Sequence, residues 1–457
     1  MGQDNPSTKP NIIYILADDM GYGDLSSYGQ INFKTPTLDS LATHGIKFTQ
    51  HYAGAPVCAP SRAALMTGRD IGHGWVRGNY ETGPRGLGAG LPLRTEDITI
   101  AEVLKKAAYH TAIIGKWGLG MDGTSGHPNK KGFDYFYGFL NQAHAHNHYP
   151  DYLYRNESKI AIPENADRNQ KKFTSDLFTT RALEFLDLQA ENKPFFLYLA
   201  YTTPHAEMIV PDDALFKSFK GKFKEQPYEG KDYSATKSLG GYGASTHPIA
   251  AYAAMVVRLD RDVARIIKML QQKGLDKNTI ILFSSDNGSH KEGGANPEVL
   301  NSSGGLRGAK RDVYEGGIRV PFIVSGTGII SGVVSNHISS FPDILPTIAA
   351  YAGVNLKENG IKTDGISLLP VLSGQDKNQK QHKYLYWEFH EGREPAQAIR
   401  FGKWKAVRYG ASKEMEIYNL EDDKAEQKNL ASLHPNMVAK FLSMFRSART
   451  TSPYWKI

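Results

Sequence analysis

The chain has 457 residues, 40% hydrophobic and 22% charged, with 54 Lys+Arg against 47 Asp+Glu, a formal net charge of +7 and a single cysteine. A chain this long and apolar buries a large core, and one cysteine excludes both an internal disulfide and a cysteine-rich zinc centre. The positive excess is modest and holds no long Lys/Arg run, which argues against nucleic acid as a partner and suits a small anionic substrate.

The opening residues, Met1 to Pro6, have neither a basic nor an apolar leader region. They read as the start of a chain whose signal peptide has been removed, so a periplasmic or secreted location is expected. Residues 11–17 (NIIYILA), 111–114, 195–200 and 279–283 (TIILF) form short apolar runs of buried-strand type. Such runs, separated by polar loops and helical stretches, predict an α/β fold around a mostly parallel sheet covered on both faces. None approaches the ~20 residues of a membrane-spanning helix. Between residues 252 and 270, Tyr252, Val256, Leu259, Val263, Ile266 and Leu270 recur at helical spacing, and Gly274 supplies a stop. Residues 217–245, rich in glycine and lysine, read as a long surface insertion. After Gly374 the character changes. Residues 384–389 and 397–408 alternate like strands and residues 437–447 like a closing helix, so the expected organisation is a catalytic domain over 1–374 and a C-terminal subdomain, antiparallel sheet plus helix, over 375–457.

Two strand runs end in the same chemistry: the first in Asp18-Asp19, the fourth in Asp286-Asn287-Gly288. In parallel sheets ligands collect outside the carboxyl ends of the strands, and carboxylates with an amide oxygen form a hard-cation set favouring calcium. The competing reading makes both pairs ordinary strand-ending turns. The only thiol, Cys58, precedes Pro60, Ser61 and Arg62 and a helix-prone run, with Pro60 placed as a first helical residue. Cys58 would then sit at a helix N-terminus, where anions are favoured, or else be a small buried apolar residue.

Cys58-x-Pro60-Ser61-Arg62 with Thr67-Gly68-Arg69 resembles the signature of the type I, formylglycine-dependent sulfatases of the alkaline phosphatase superfamily. Asp18-Asp19, Gly115-Lys116-Trp117, Thr203-Pro204-His205, Asp286-Asn287-Gly288, Arg307 to Lys310 and Tyr314 to Pro321 match in family order. The resemblance extends to Gly402-Lys403-Trp404-Lys405 and Glu416 to Leu420, and it is to bacterial arylsulfatases and glycan exo-sulfatases. It implies an alkaline-phosphatase-like fold and a formylglycine made from Cys58 by a maturation enzyme that reads Cys, Pro and Arg. It also implies calcium held by Asp18, Asp19, Asp286, Asn287 and the modified Cys58. Arg62 would steady the modified residue, Lys116 and Lys310 would grip sulfate, and His205 would protonate the leaving oxygen. The implied reaction is hydrolysis of a sulfate ester, on a small molecule or an oligosaccharide, to an alcohol and inorganic sulfate. A hydrated aldehyde attacks sulfur in line and then expels sulfate.

One position departs from the pattern. Many members carry histidine two residues after the lysine, where this chain has Gly118. Residues 141–149 (NQAHAHNHY) offer His144 or His146 as a replacement, and His290 and Arg307 are further candidates for substrate contact. Trp117, Trp387 and Trp404 are assigned to packing. The polar loops favour a sulfated sugar, galactose-type by expectation. The rivals are a phosphomonoesterase or phosphodiesterase of the same superfamily and a non-catalytic glycan-binding relative.

Overall fold

The computed structural model describes residues 9–79, 90–190, 193–230, 241–392, 394–411 and 413–457. The first six residues, on which the expectation about a leader rests, and 231–240 of the expected insertion lie outside them. The main sheet is built from β1 (Asn11–Ala17), β2 (Gly45–Tyr52), β3 (His110–Lys116), β4 (Tyr135–Phe139), β5 (Tyr152–Arg155), β6 (Ser158–Ala161), β7 (Phe195–Ala200), β8 (Thr279–Ser285), β9 (Arg319–Gly326), β10 (Val333–Ser335) and β11 (Ser339–Ser340). Their order is β10-β2-β9-β8-β1-β7-β3-β4-β5-β6, with β11 on β2. The central run β8-β1-β7-β3-β4 is parallel, whereas β9 on one flank and β5 on the other enter antiparallel.

The near-continuous apolar runs follow from two covered faces. In β1, Ile13, Ile15 and Ala17 pack into one core, and Ile12, Tyr14 and Leu16 into the other. The first face is covered by Thr174–Asp187 and by Pro248–Gln272, the helix expected over 252–270, which Gly274 closes in a left-handed conformation at φ +70°. The second is covered by α1 (Cys58–Thr67) together with Ile344–Tyr351. This helix starts two residues earlier than Pro60 suggested. Proline at the third helical position is tolerated because first-turn N–H groups have no partner inside the helix.

A four-stranded antiparallel sheet, β12 (Leu385–Phe389), β13 (Ala396–Phe401), β14 (Trp404–Tyr409) and β15 (Glu416–Asn419), follows, with the helix Pro435–Ser447. It packs on the first part of the chain through Trp387, Tyr418 and Phe389, which share a core with Tyr52, Val57 and Val313. Trp387 also donates its Nε1–H to Ala53 O at 2.9 Å.

Candidate active site

Four neighbouring parallel strands, β8, β1, β7 and β3, deliver the chemistry at their carboxyl ends. β1 and β8 pair in register at Ala17 and Ser285, so Asp18-Asp19 and Asp286-Asn287 emerge side by side. Asp18 N–H is held by Thr203 O at 3.1 Å, and Asp19 N–H by Asp286 Oδ1 at 3.0 Å. Asp19 adopts φ +63°, a left-handed conformation uncommon outside glycine and a mark of functional turns. Gly288 leaves no room for a side chain: a Cβ there would lie 1.8 Å from Gly316 O.

Cys58, the first residue of α1, points its Sγ at Asp18 Oδ1 (3.4 Å) and Asp19 Oδ1 (3.8 Å). One turn on, Arg62 donates through Nε to Asp286 Oδ2 at 2.9 Å, through Nη1 to Lys116 O at 2.8 Å, and lies 3.4 Å from Asp18 Oδ1 through Nη2. Lys116, at the end of β3, reaches Asp18 Oδ2 at 2.7 Å. Lys310 reaches Asp19 Oδ2 at 2.7 Å, Glu292 Oε2 at 2.8 Å and His205 Nε2 at 3.0 Å. Ligand atoms of Asp18, Asp19, Cys58 and His205 all lie within 4.8 Å of one another. Every residue of this cluster is buried except Glu292, at its edge.

Burial raises the Asp18 carboxyl, but Lys116 and Arg62 outweigh it and hold the group well below the usual carboxylate range. Asp286 is pushed up to about 7 by burial and by Asp18 beside it. Burial also pushes the Cys58 thiol up, with Asp286 and Asp18 adding to it, so the sulfur stays protonated and donates. His205 is driven well down by burial and by Lys310, and is neutral. Its Nδ1 bonds to Ala206 O, which assigns the proton to Nδ1 and leaves Nε2 to accept from Lys310.

Three of the expected substrate contacts are placed elsewhere or otherwise engaged. His144 packs with its ring 4.8 Å from Phe139 and 4.2 Å from Tyr152, turned into the core instead of the cluster. Arg307 lies over the Tyr314 ring at 3.8 Å and bonds Tyr418 Oη and Glu426 O, clamping the C-terminal sheet. His290 stacks 5.7 Å from His205, but Nε2 is taken by Pro204 O (3.1 Å) and Nδ1 by Glu292 N–H (3.1 Å), so it braces two backbones. His146 does reach the site, its ring stacked on His205 at 4.8 Å and 18°.

Sequence reasoning missed the supporting groups. Glu292 pairs Lys310 with Arg311, whose Nη1 it meets at 2.5 Å. His148 holds the His205 carbonyl through Nε2 at 3.0 Å. Asn79 Oδ1 accepts the Ala59 N–H at 2.8 Å, capping the helix that carries Cys58. Only His148 lay in a segment already singled out; the others sit on loops without periodicity.

Gly118 is left-handed at φ +72°, and a Cβ there would meet Gln142 Nε2 at 2.0 Å. Gln142 thus fills the space a histidine at 118 would enter. Gly118→Ala is expected to lose about 1–2 kcal/mol in denaturant unfolding. Gly118→His should give no gain in turnover, which a parallel assay checks.

The sulfatase family profile matches residues 10–354, and a profile described as N-sulphoglucosamine sulphohydrolase, C-terminal, matches 308–444. The chain is 32% identical over 419 residues to an arylsulfatase of Hemicentrotus pulcherrimus, covering 88% of this chain and 68% of the relative. It is 32% identical over 392 residues to human N-acetylgalactosamine-6-sulfatase, covering 81% and 67%. The solved structure of Ps i-CgsB superposes with a TM-score of 0.79 at 30% identity, covering 98% of this chain and 95% of that one. A sulfatase structure from Bacteroides thetaiotaomicron, titled for metabolism of multiple glycosaminoglycans, gives 0.77 at 25%, covering 97% and 100%. Fold and site together define an alkaline-phosphatase-like α/β hydrolase. The chain belongs to the sulfatase family and is a sulfuric ester hydrolase.

Proposed function

We propose that the protein hydrolyses the sulfate ester of a galactose-type sugar in a glycan fragment, with Cys58 matured to formylglycine beside a bound calcium ion. The observation that carries this reading is the buried convergence of Cys58 and Arg62 with three carboxylates, Asn287 and two lysines. The sugar is supported by the relatives: one is named N-acetylgalactosamine-6-sulfatase, and Ps i-CgsB was also solved with a neocarrahexaose. A polymer-derived substrate agrees with the expected periplasmic or secreted location.

The donor set fits calcium. Asn287 Oδ1 is buried with no hydrogen-bond partner among the described residues while its Nδ2 donates to Asp19 Oδ1 at 2.7 Å, so one hard oxygen is free to meet a cation beside Asp18, Asp19 and Asp286. Bound there, calcium would supply Lewis acidity to the nucleophile and to a sulfate oxygen. Lys116 and Lys310 orient and neutralise the sulfate from two sides, and Arg62 fixes the position of residue 58 through its helix. His205 holds its proton at Nδ1, so protonation of the leaving oxygen draws on the Lys310 Nζ–His205 Nε2 pair acting together. His146, stacked on His205, lines the leaving-group side.

The test is a panel of sulfated galactose and N-acetylgalactosamine sugars, matching phosphate esters and an aryl sulfate, run on matured protein. Sulfate release from the sugars with phosphate esters inert is the expected result; preferential phosphate release would replace this reading with the phosphatase one. Independently of activity, calcium should raise the thermal unfolding midpoint of wild type, and Asn287→Leu should remove that rise. A midpoint insensitive to calcium would rule out the calcium assignment.

A further inference from the structure

After Asp18 the chain turns sharply over residues 19–24, and this turn is held from three sides. Met20 N–H donates to Ser285 Oγ at 2.8 Å, and Gly23 N–H to Ser302 O at 2.7 Å. The fit there is close: a Cβ on Gly21 would lie 2.1 Å from Ser302 O. The third side is the helix Pro248–Gln272. Tyr252, assigned by its spacing to the apolar face of that helix, does pack in one core with Met20 and Leu25. Its hydroxyl, however, ends on a carboxylate, donating to Asp24 Oδ2 at 2.5 Å and lying 3.4 Å from Asp19 O. The same Asp24 oxygen accepts Gly21 N–H at 2.7 Å, which closes the turn on itself.

This bond is made where an unpaired group is costly, because both side chains are buried. Burial and the neighbouring Asp24 push the Tyr252 phenol far above its usual range, so it stays protonated and donates. Burial also pushes the Asp24 carboxyl up to about 7, although Tyr252 and Gly21 both donate to it. For packing alone a buried carboxylate is unfavourable, whereas short charge-assisted bonds suit the task of holding a backbone in one conformation. The conformation held is that of Asp19, left-handed at φ +63°. In it the two carboxylate oxygens are divided. Oδ1 meets Asn287 Nδ2 at 2.7 Å and Cys58 Sγ at 3.8 Å, while Oδ2 meets Lys310 Nζ at 2.7 Å and His205 Nε2 at 3.3 Å. A shift of this turn would therefore displace a proposed calcium ligand and the Lys310–His205 pair together. Tyr252 touches the other arm of the site as well, its ring lying 5.7 Å from that of His290, which holds Pro204 O beside His205.

We infer that Tyr252 is a positioning residue for the reaction: through Asp24 its hydroxyl ties the 19–24 turn to the helix Pro248–Gln272 and so fixes Asp19, on which the calcium site and the placing of Lys310 both depend. The inference rests on the calcium-assisted sulfatase reading and adds to it a residue that acts through another. Partners that orient a metal ligand are typically worth about 10–100-fold in metal affinity or activity.

Tyr252→Phe keeps the ring and its contact with His290 and removes the hydroxyl alone. On matured enzyme, with a sulfate ester that the wild type hydrolyses, kcat is expected to fall about tenfold or more while KM stays within about twofold. On the same protein stripped of metal, calorimetric titration should give a calcium dissociation constant raised about tenfold or more. The double variant Tyr252→Phe/Asp24→Asn separates this role from packing. Its amide is neutral and still accepts Gly21 N–H, so denaturant unfolding should return toward wild type, while kcat and calcium affinity stay low because the turn has no tie to the helix. Either quantity at its wild-type value in Tyr252→Phe, or restored to it in the double variant, would overturn the proposal. Should Tyr252→Phe not fold, the double variant carries both readouts, low values supporting the proposal and wild-type values overturning it. A wild-type chain that hydrolyses sulfate esters but binds no calcium would count against the calcium assignment alone, and the kcat comparison would then decide the role of Tyr252.

Discussion

Cys58→Ala is expected to lose sulfate-ester hydrolysis by about 10⁴-fold or more, as removal of a nucleophile does, while leaving the fold intact. The structural side of the expectation follows from what the side chain touches. Its Sγ hydrogen-bonds to carboxylate oxygens, Asp18 at 3.4 Å and Asp19 at 3.8 Å, and alanine is a good helix former for the first turn of α1. The helix keeps its other anchors, the Asn79 cap and the Arg62 bonds to Asp286 and Lys116. Unfolding midpoints should therefore stay close to wild type. Ser61 offers no substitute, because its hydroxyl donates to Asp286 O at 2.5 Å and accepts Gly54 N–H at 3.1 Å. Cys58→Ser separates two explanations: a plain hydroxyl has the attacking oxygen but not the carbonyl, so it should be as inactive over multiple turnovers as alanine. Sulfate release with parallel denaturant curves checks both variants. Full turnover by either, or by wild-type protein whose intact thiol is seen by mass spectrometry, would sink the formylglycine reading.

Much of the fold was legible because its strands are buried on both faces. The expectations at 11–17 and 195–200 match β1 and β7 end to end, and 279–283 falls short of β8 by two serines that continue the register into the metal-type loop. The cluster was legible for the same reason, since its members sit directly at strand ends or on the first turn of α1. Loop geometry was not. His144 and His146 were indistinguishable in sequence, but they occupy a 3₁₀ turn, where residues two apart point in different directions: one meets Phe139 in the core and the other meets His205. Arg307, a candidate for substrate contact in the sequence, is engaged by a ring face and a tyrosine hydroxyl of the folded chain. Glu292 and Asn79 carried no signal, because their meaning arises only when distant loops meet.

The second large effect lies away from the chemistry. Lys405→Met is expected to cost about 3–5 kcal/mol of unfolding free energy, the usual consequence of removing one partner from a buried ion network. Lys405, on β14, is fully buried, with Nζ 3.0 Å from Glu315 Oε1 and 2.8 Å from Glu426 Oε1. Glu315 also accepts from Tyr52 Oη at 2.7 Å and meets Arg319 at 3.3 Å, so the C-terminal sheet is locked to β2 and β9 through one carboxylate. Burial pushes Glu315 up, but Lys405, Arg319 and Arg400 outweigh it and hold the carboxyl at about 2. Glu426 goes the other way: burial dominates, Glu315 repels it, and it is raised to about 7 despite Lys405. The signs of linkage follow. Glu315 contributes stability that is present above its unfolded value of 4.5 and is lost as pH falls toward 2, whereas Glu426 costs stability increasingly as pH rises from 4.5 to about 7. Without Lys405 the buried carboxylates lose a shared counter-charge, and protonation relieves them. The deficit of Lys405→Met against wild type should therefore be smaller at about pH 5 than at about pH 8. Adding Glu426→Gln should recover about 1 kcal/mol or more at the higher pH, as neutralising an unpaired buried charge does. Urea unfolding of the four proteins of this cycle at both pH values decides the matter: a deficit independent of pH, with no coupling between positions 405 and 426, would mean that Lys405 acts by packing alone.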